Sequence, residues 1–187
     1  MTNNTLLNAL YQKNPLLIFS YLSKQPEDQC LIYKISKSLS LSMGSVHQIL
    51  HQFTTLGLTT TKTIGRSKLY LINHHSPLVK SFRVFENLLE LQELIDELKK
   101  SSRKIVLFGS CSRGEDDTES DIDLFIVADP ENQETILDVI EKHEFDRPIN
   151  PVIVDYHEFI VLEKQDPVFY QEVMKGIELW EVTNPRT

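Results

Sequence analysis

The sequence predicts a two-domain protein of the α/β (α+β) class. Residues 1–80 contain eight Lys and Arg but only Glu27 and Asp28, a net charge of +6, whereas residues 81–187 carry a net charge of −14. Helical spacing of apolar residues dominates the basic part, and strand-like runs alternate with helices in the acidic part. Charges of opposite sign predict separate roles, with a basic part suited to a polyanion and an acidic part suited to metal or a cationic partner.

The chain shows no sign of a membrane or secretory protein. No apolar run approaches the roughly 18–20 residues that span a bilayer. The start, MTNNTLLNALYQKN, lacks the basic end, apolar stretch and cleavage site of a secretory signal. Cys30 and Cys111 lie far apart in sequence. These features predict a cytoplasmic protein with two free thiols.

The basic part begins with three predicted helices. The first opens at Asn14-Pro15, because proline suits the first helical position, and it ends at Gln25-Pro26. A second helix takes its apolar positions from residues 31–39. Ser42 is well suited to cap a third helix, which Gly57 ends.

The third helix and the segment after it have distinct patterns. Val46, Ile49, Leu50 and Phe53 fall at i, i+3, i+4 and i+7, which predicts one buried face. Two strand-like segments, LTTTKT and KLYLIN, then flank the turn IGRS, which has a glycine and a basic tip. The pattern predicts a hairpin after the third helix.

Residues 12–75 resemble a winged helix-turn-helix domain of the ArsR/MarR-like kind, and we place this domain at residues 1–76. The stretch GLTTTKTIGRSKLYLI carries most of the resemblance. Double-stranded DNA is the implied partner, because a helix in the major groove can read base edges while a basic wing meets phosphates or the minor groove. The predicted base-reading residues are Ser45, Gln48 and Gln52, and the wing residues are Lys62, Arg66 and Lys68. A domain used only for protein interaction or dimerisation is the alternative.

A long helix is predicted to connect the two domains over residues 77–101. Val84, Leu88, Leu91, Ile95 and Leu98 follow one another at spacings of four and three. Such a wide apolar stripe packs on a core and can also face a second subunit. Because DNA-binding winged helices act on paired half-sites, the stripe predicts a homodimer through Leu88, Leu91 and Ile95.

The acidic part begins with a strand–turn–strand unit. A buried strand at 104–108 runs into GSCSRG, a polar loop follows, and a second strand continues from Asp121. Gly109 lets a ligand approach the backbone closely, and Ser110 offers a hydroxyl at a helix start, where phosphate is favoured. Asp121 and Asp123 are two residues apart, so their carboxylates project from one face of a strand. Hard oxygen ligands favour Mg²⁺ or Mn²⁺, which predicts metal-assisted phosphoryl or nucleotidyl transfer.

The stretch LFGSCSRGEDDTESDIDLFIV resembles the signature of the DNA polymerase β-type nucleotidyltransferase superfamily in its minimal form. The resemblance implies an α/β domain with a mixed sheet, at residues 102–182, followed by a tail at 183–187. It implies that Asp121 and Asp123 bind two divalent ions, Mg²⁺ or Mn²⁺, and that the substrate or ligand is an NTP, with ATP favoured. The implied nucleotide-binding residues are Gly109, Ser110, Arg113 and Ser120.

The sequence departs from that family at a third carboxylate, which serves as metal ligand and base. The family pattern aligns best on Asn150, whose amide cannot accept a proton from a hydroxyl. Asp155 is the nearest acid and the alternative third catalytic residue beside Asp121 and Asp123. With Glu158 it also fits a helix capping box.

Two classes of function remain open. One is an enzyme that transfers a nucleoside monophosphate from an NTP to a hydroxyl of a protein or nucleic acid. The other is a non-catalytic regulator whose nucleotidyltransferase fold senses nucleotide or binds a partner protein. The resemblance to minimal nucleotidyltransferases implies an antitoxin role with a HEPN-type toxin as partner, and this role fits either class.

Overall fold

A computed structural model describes residues 12–25, 29–117 and 119–182. The chain divides into two compact units, residues 1–82 and 83–187. The division lies six residues later than the predicted boundary between residues 76 and 77, inside the long helix. The tail at 183–187 lies outside the described residues. Within the described ranges, every helix is too short or too polar to cross a bilayer.

The described residues of unit 1 form three helices followed by two strands. They are α1 (Lys13–Lys24), α2 (Ile32–Leu39), α3 (Met43–Thr55), β1 (Thr59–Ile64) and β2 (Ser67–Ile72). The Ser42 side chain accepts a hydrogen bond of 3.2 Å from the Ser45 N–H, so it caps α3 as predicted. Gly57 adopts φ +72° just after α3. The strands form an antiparallel hairpin with Gly65 in its turn.

The core of unit 1 forms around the predicted apolar face of α3. Val46, Ile49, Leu50 and Phe53 are all buried. Phe53 meets Phe19 of α1 edge to face, with ring centroids 5.5 Å apart. The polar face of α3 is thereby left on the opposite side of the helix.

Unit 2 is built on a mixed four-stranded sheet. The long helix α4 (Pro77–Leu98) leads into it, and the remaining elements are β3 (Lys104–Leu107), α5 (Gly109–Arg113), β4 (Ile122–Val127), a 3₁₀ turn (Pro130–Asn132), α6 (Gln133–Lys142), β5 (Ile149–Val154), α7 (Tyr156–Gln165), α8 (Pro167–Met174) and β6 (Ile177–Glu181). The strand order is β5-β4-β3-β6. β4 runs parallel to β5, and β3 runs antiparallel to both β4 and β6. The predicted mixed sheet is confirmed.

Both faces of this sheet are covered, because alternate strand residues point to opposite sides. Ile105 and Leu107 pack with α4 and α6 in one cluster. Val106 and Phe125 pack with α7 and α8 in the other cluster. Unit 2 therefore has a helix–sheet–helix arrangement. Because its strands are buried on both faces, their sequences are near-continuous apolar runs.

The predicted location of the dimer interface, at Leu88, Leu91 and Ile95, is wrong. Leu91 and Ile95 are only 1% and 5% exposed, and Leu88 packs against the same cluster. One sheet face needs a helical cover, and the widest apolar stripe of α4 supplies it within the same chain. The exposed apolar side chains of α4 include Phe85 and Leu89 instead. The homodimer itself stays a prediction.

Candidate functional site

The turn after β3 places Gly109 directly beneath a carboxylate. Gly109 adopts φ +67°, which L side chains rarely adopt. A Cβ atom at this position would collide with Oδ2 of Asp123. Any other residue would therefore be strained and would displace the carboxylate, which gives a tertiary reason for glycine here.

Asp123 is held by the sheet, whereas Asp121 precedes it. Asp123 is the second residue of β4, and its carbonyl accepts a 3.1 Å hydrogen bond from the Phe108 N–H. Asp121 lies one residue before the strand and is exposed. Its carbonyl accepts a hydrogen bond from Cys111 Sγ at 3.4 Å. Two acidic residues spaced two apart thus lie at the start of one strand, next to the 109–113 turn.

Asn150 is the direct neighbour of Asp123 across the sheet. In the parallel pairing of β4 and β5, Asp123 stands opposite Asn150. The Asn150 Nδ2 donates to Asp123 Oδ1 at 3.0 Å. The Asp123 carboxylate therefore lies between Gly109 and the Asn150 amide. Asn150 stands where the family pattern places a third carboxylate.

Asp155 lies away from this group. It is five residues beyond Asn150, just past the end of β5, which corresponds to about 16 Å along an extended strand. Its Oδ1 accepts the Glu158 N–H at 2.8 Å, and Glu158 Oε2 accepts the Asp155 N–H at 2.8 Å. This is a complete capping box at the start of α7. The structure does not bring Asp155 together with Asp121 and Asp123.

The remaining predicted nucleotide-binding residues have local partners. Arg113 pairs with Glu115 and with Glu172 of α8. The hydrogen bond that Arg113 Nε donates to Glu115 Oε2 is the main reason that the pKa of Arg113 lies above its ordinary value. The Ser120 hydroxyl donates to Asp117 Oδ1 at 2.8 Å. Ser110 is half-buried in α5, directly after Gly109.

Cys111 is a buried thiol within the 109–113 turn. It is 1% exposed. Burial, reinforced by the charge of Asp116, raises its pKa to about 11, so the thiol is protonated at neutral pH.

A buried polar cluster in unit 2 was missed by the sequence analysis. Asp116 is 4% exposed, and its Oδ2 accepts a hydrogen bond from Arg147 Nη1 at 2.6 Å. Asn87 donates to the Cys111 carbonyl at 3.0 Å and accepts from Arg147 Nη2 at 3.0 Å. Removing one partner from a buried charged pair costs about 3–5 kcal/mol.

Two further charges complete this cluster. Arg83 Nη2 lies 3.7 Å from Asp116 Oδ2, and Glu90 Oε2 lies 3.6 Å from Arg147 Nη2. Arg83, Asn87 and Glu90 fall at i, i+4 and i+7 on α4, so they share one helix face. The helical spacing of these three polar residues was the signal in the sequence that could have indicated the cluster. Their partners Asp116 and Arg147 could not be found in this way, because they lie in loops distant in sequence.

Metal ligands are sparse in the described part of the chain. Residues 12–25, 29–117 and 119–182 hold no cluster of three or more His, Cys, Asp or Glu side chains able to bind a metal ion. The carboxylates of Asp121 and Asp123 nevertheless fit Mg²⁺, which commonly takes one or two carboxylates together with substrate phosphates and waters.

The predicted DNA-binding residues lie on α3 and the hairpin of unit 1. Gln48 is exposed, and Ser45 and Gln52 are half-buried on the same helix face. Arg66 is exposed in the hairpin turn. Lys62 pairs with Leu69, and Lys68 pairs with Thr63, so the two lysines project from opposite faces of the hairpin. Only one of these lysines can share a flat surface with Arg66.

A known family model matches most of unit 2. Residues 90–178 match the family model described as a nucleotidyltransferase domain. That range contains the 109–113 turn, the strand with Asp123 and the strand with Asn150. No curated protein and no solved structure matched the chain. The match supports a nucleotidyltransferase domain in this part of the chain, with nucleotide transfer as its broad activity.

Proposed function

We propose that unit 2 binds a metal–nucleoside triphosphate at Gly109, Ser110, Asp121 and Asp123. The observation that carries this proposal is the close packing of the Gly109 backbone against the Asp123 carboxylate. This packing brings the Gly109 backbone next to the acidic residues, where we propose that a triphosphate and its cation are bound together. Arg113 and Ser120 are close in sequence and take part by exchanging their present partners, Glu115, Glu172 and Asp117.

The bound cation would supply charge neutralisation at the phosphates. Asp121 and Asp123 would hold it, and the triphosphate would complete its oxygen ligands. The chain's own contribution is orientation: Gly109 lets the phosphates approach, while Asn150 fixes the Asp123 carboxylate through its hydrogen bond. ATP is the favoured NTP, and Mn²⁺ is an alternative to Mg²⁺.

Transfer to a hydroxyl is proposed as slow in this chain. Deprotonating an acceptor hydroxyl needs a positioned base. Asn150 is an amide, and Asp155 is engaged in the capping box of α7. A specific observation, the Asn150–Asp123 hydrogen bond, thus favours the second candidate function, a regulator that senses nucleotide without turning it over.

Titration of the wild-type protein with the four NTPs tests the binding proposal. Isothermal calorimetry with Mg²⁺ is expected to give saturable binding, strongest for ATP. The same titration in excess chelator is expected to give none, because the acidic residues repel an uncompensated triphosphate. Absence of heat with every NTP in both Mg²⁺ and Mn²⁺ contradicts the proposal.

We further propose that unit 1 is a winged helix-turn-helix domain that binds double-stranded DNA. Its net charge of +6 over residues 1–80, the exposed polar face of α3 and the exposed Arg66 at the hairpin turn support this role. The alternative is a module that binds only proteins, including a second copy of the chain.

Salt dependence and two substitutions test the DNA proposal. If three phosphates are neutralised, the affinity for genomic duplex fragments is expected to fall with a slope of about −3 in a plot of log K against log salt. Arg66→Ala is expected to weaken all sequences alike and to reduce that slope by about one. Gln48→Ala is expected to relax sequence preference instead. Lys13→Ala, which removes the same charge from α1, is the matched control, measured by fluorescence anisotropy.

We propose one biological setting that is compatible with either candidate function. A homodimer would place two α3 helices on paired half-sites. The acceptor or partner is proposed to be a HEPN-type toxin or another protein, with the protein acting as its antitoxin in the cytoplasm. DNA binding would then link partner levels to transcription.

A further inference from the structure

We infer that Asp116 and Arg147 are positioning residues that hold the two sides of the Asp123 site in register, and this inference rests on the proposed nucleotide-binding function. Neither residue contacts Asp123 through a hydrogen bond or ion pair among the described contacts. They act through the elements on either side of it.

Asn87 holds the 109–113 turn, on one side of the Asp123 site, in position. Its Nδ2 donates both to the Cys111 carbonyl, at 3.0 Å, and to Asp116 Oδ1, at 3.2 Å. Cys111 belongs to the short helix that begins at Gly109. The position of the 109–113 turn therefore depends on the Asn87 side-chain amide, and Asp116 and Arg147 set the orientation of this amide.

The other side is tied down through Arg147 itself. Arg147 immediately precedes Pro148, whose carbonyl accepts the Ile122 N–H at 2.9 Å. The next pairs along the two strands are Ile122 with Ile149 and Asp123 with Asn150. Fixing the Arg147 side chain in the buried cluster thus fixes the start of β5, where Asn150 meets Asp123.

The cluster is suited to positioning because it is charge-balanced and its Asp116 and Arg83 side chains are buried. Two arginines, Arg83 and Arg147, face two carboxylates, Asp116 and Glu90. The Arg147 guanidinium reaches Asp116 and Asn87 with two different nitrogens. Such a planar fork allows few alternative geometries, and a lysine cannot reproduce it.

Arg147→Lys and Arg147→Met test the inference, with Arg103→Met as the matched control. Arg103 also forms a two-nitrogen pair with an aspartate, Asp129, at 2.9 and 3.0 Å, but this pair is exposed. Binding of Mg²⁺–ATP is measured by calorimetry at a temperature where near-ultraviolet circular dichroism shows each variant folded. Arg147→Lys is expected to weaken binding about 10-fold and Arg147→Met more, whereas Arg103→Met changes it less than 2-fold.

A second measurement is independent of nucleotide. The Asn150 side-chain amide is expected to exchange with solvent at least several-fold faster in Arg147→Lys than in wild type, as followed by NMR without ligand. Unchanged Asn150 exchange in folded Arg147→Lys overturns the inference, even if the variant melts earlier. Faster exchange in a protein whose wild type binds no nucleotide supports the positioning role and refutes the proposed function alone. If Arg147→Met does not fold, Arg147→Lys decides.

Discussion

Replacing Asp123 with asparagine is expected to weaken Mg²⁺–NTP binding about 100-fold, or about 2.7 kcal/mol. The Asp123 carboxylate is the anionic group of the site with the most defined surroundings, between the Gly109 backbone and the Asn150 amide. The substitution keeps the size of the side chain and removes the charge that would hold the cation. Calorimetry with each NTP in Mg²⁺ measures the change.

The fold is expected to survive this substitution, because the backbone pairing of β4 with its neighbours is untouched. Asp138→Asn is the matched control, since Asp138 is exposed on α6 and loses the same charge. An affinity that falls equally in both variants would mean that general acidity, and not the Asp123 site, governs binding. Wild-type affinity in Asp123→Asn would refute the proposed location.

Replacing Asn150 with aspartate is expected to raise nucleotidyl transfer about 10²–10⁴-fold, the typical contribution of a positioned base. Asn150 already stands opposite Asp123, so an aspartate there would complete three carboxylates at the site. Release of pyrophosphate from radiolabelled NTP, with RNA or a candidate protein as acceptor, measures the gain. Without Mg²⁺ the new carboxylate replaces a hydrogen bond by repulsion, so the variant is expected to melt below wild type and to recover with Mg²⁺.

Asp155→Asn distinguishes the two candidates for the third acid. Because asparagine caps a helix about as well as aspartate, the substitution is expected to change the free energy of unfolding by less than about 0.5 kcal/mol and to leave transfer within 2-fold of wild type. The opposite pattern contradicts our assignment: Asn150→Asp adds no activity, and Asp155→Asn removes activity that the wild type has.

Much of unit 1 could be predicted from local patterns. The bounds of α3 follow from Ser42, a good N-cap, and from Gly57, which tolerates a positive φ. The hairpin follows from two strand-like segments around a glycine turn. These signals act over a few residues, so the rest of the chain does not alter them. The opposite faces of Lys62 and Lys68, by contrast, depend on the pairing register of the two strands.

In α4, the spacing of apolar residues predicts the helix but not the partner that covers its apolar face. The spacing of Leu88, Leu91 and Ile95 correctly indicated a helix with a wide apolar face. It could not indicate what covers that face, because a sheet of the same chain and a second subunit both bury leucine equally well. The structure assigns the face to the β-sheet of unit 2.

By itself, the sequence determined the order of helices and strands, the Gly109 turn beside an acidic pair, and the amide at position 150, while the mixed sheet was implied only by the family resemblance. The first three rest on residue type and short spacing. Only the tertiary structure decided that Asn150 meets Asp123 and that Asp116 and Arg147 share one cluster. These pairings join residues 27 to 31 positions apart, and long-range pairing is set by strand register and core packing, which no local pattern encodes.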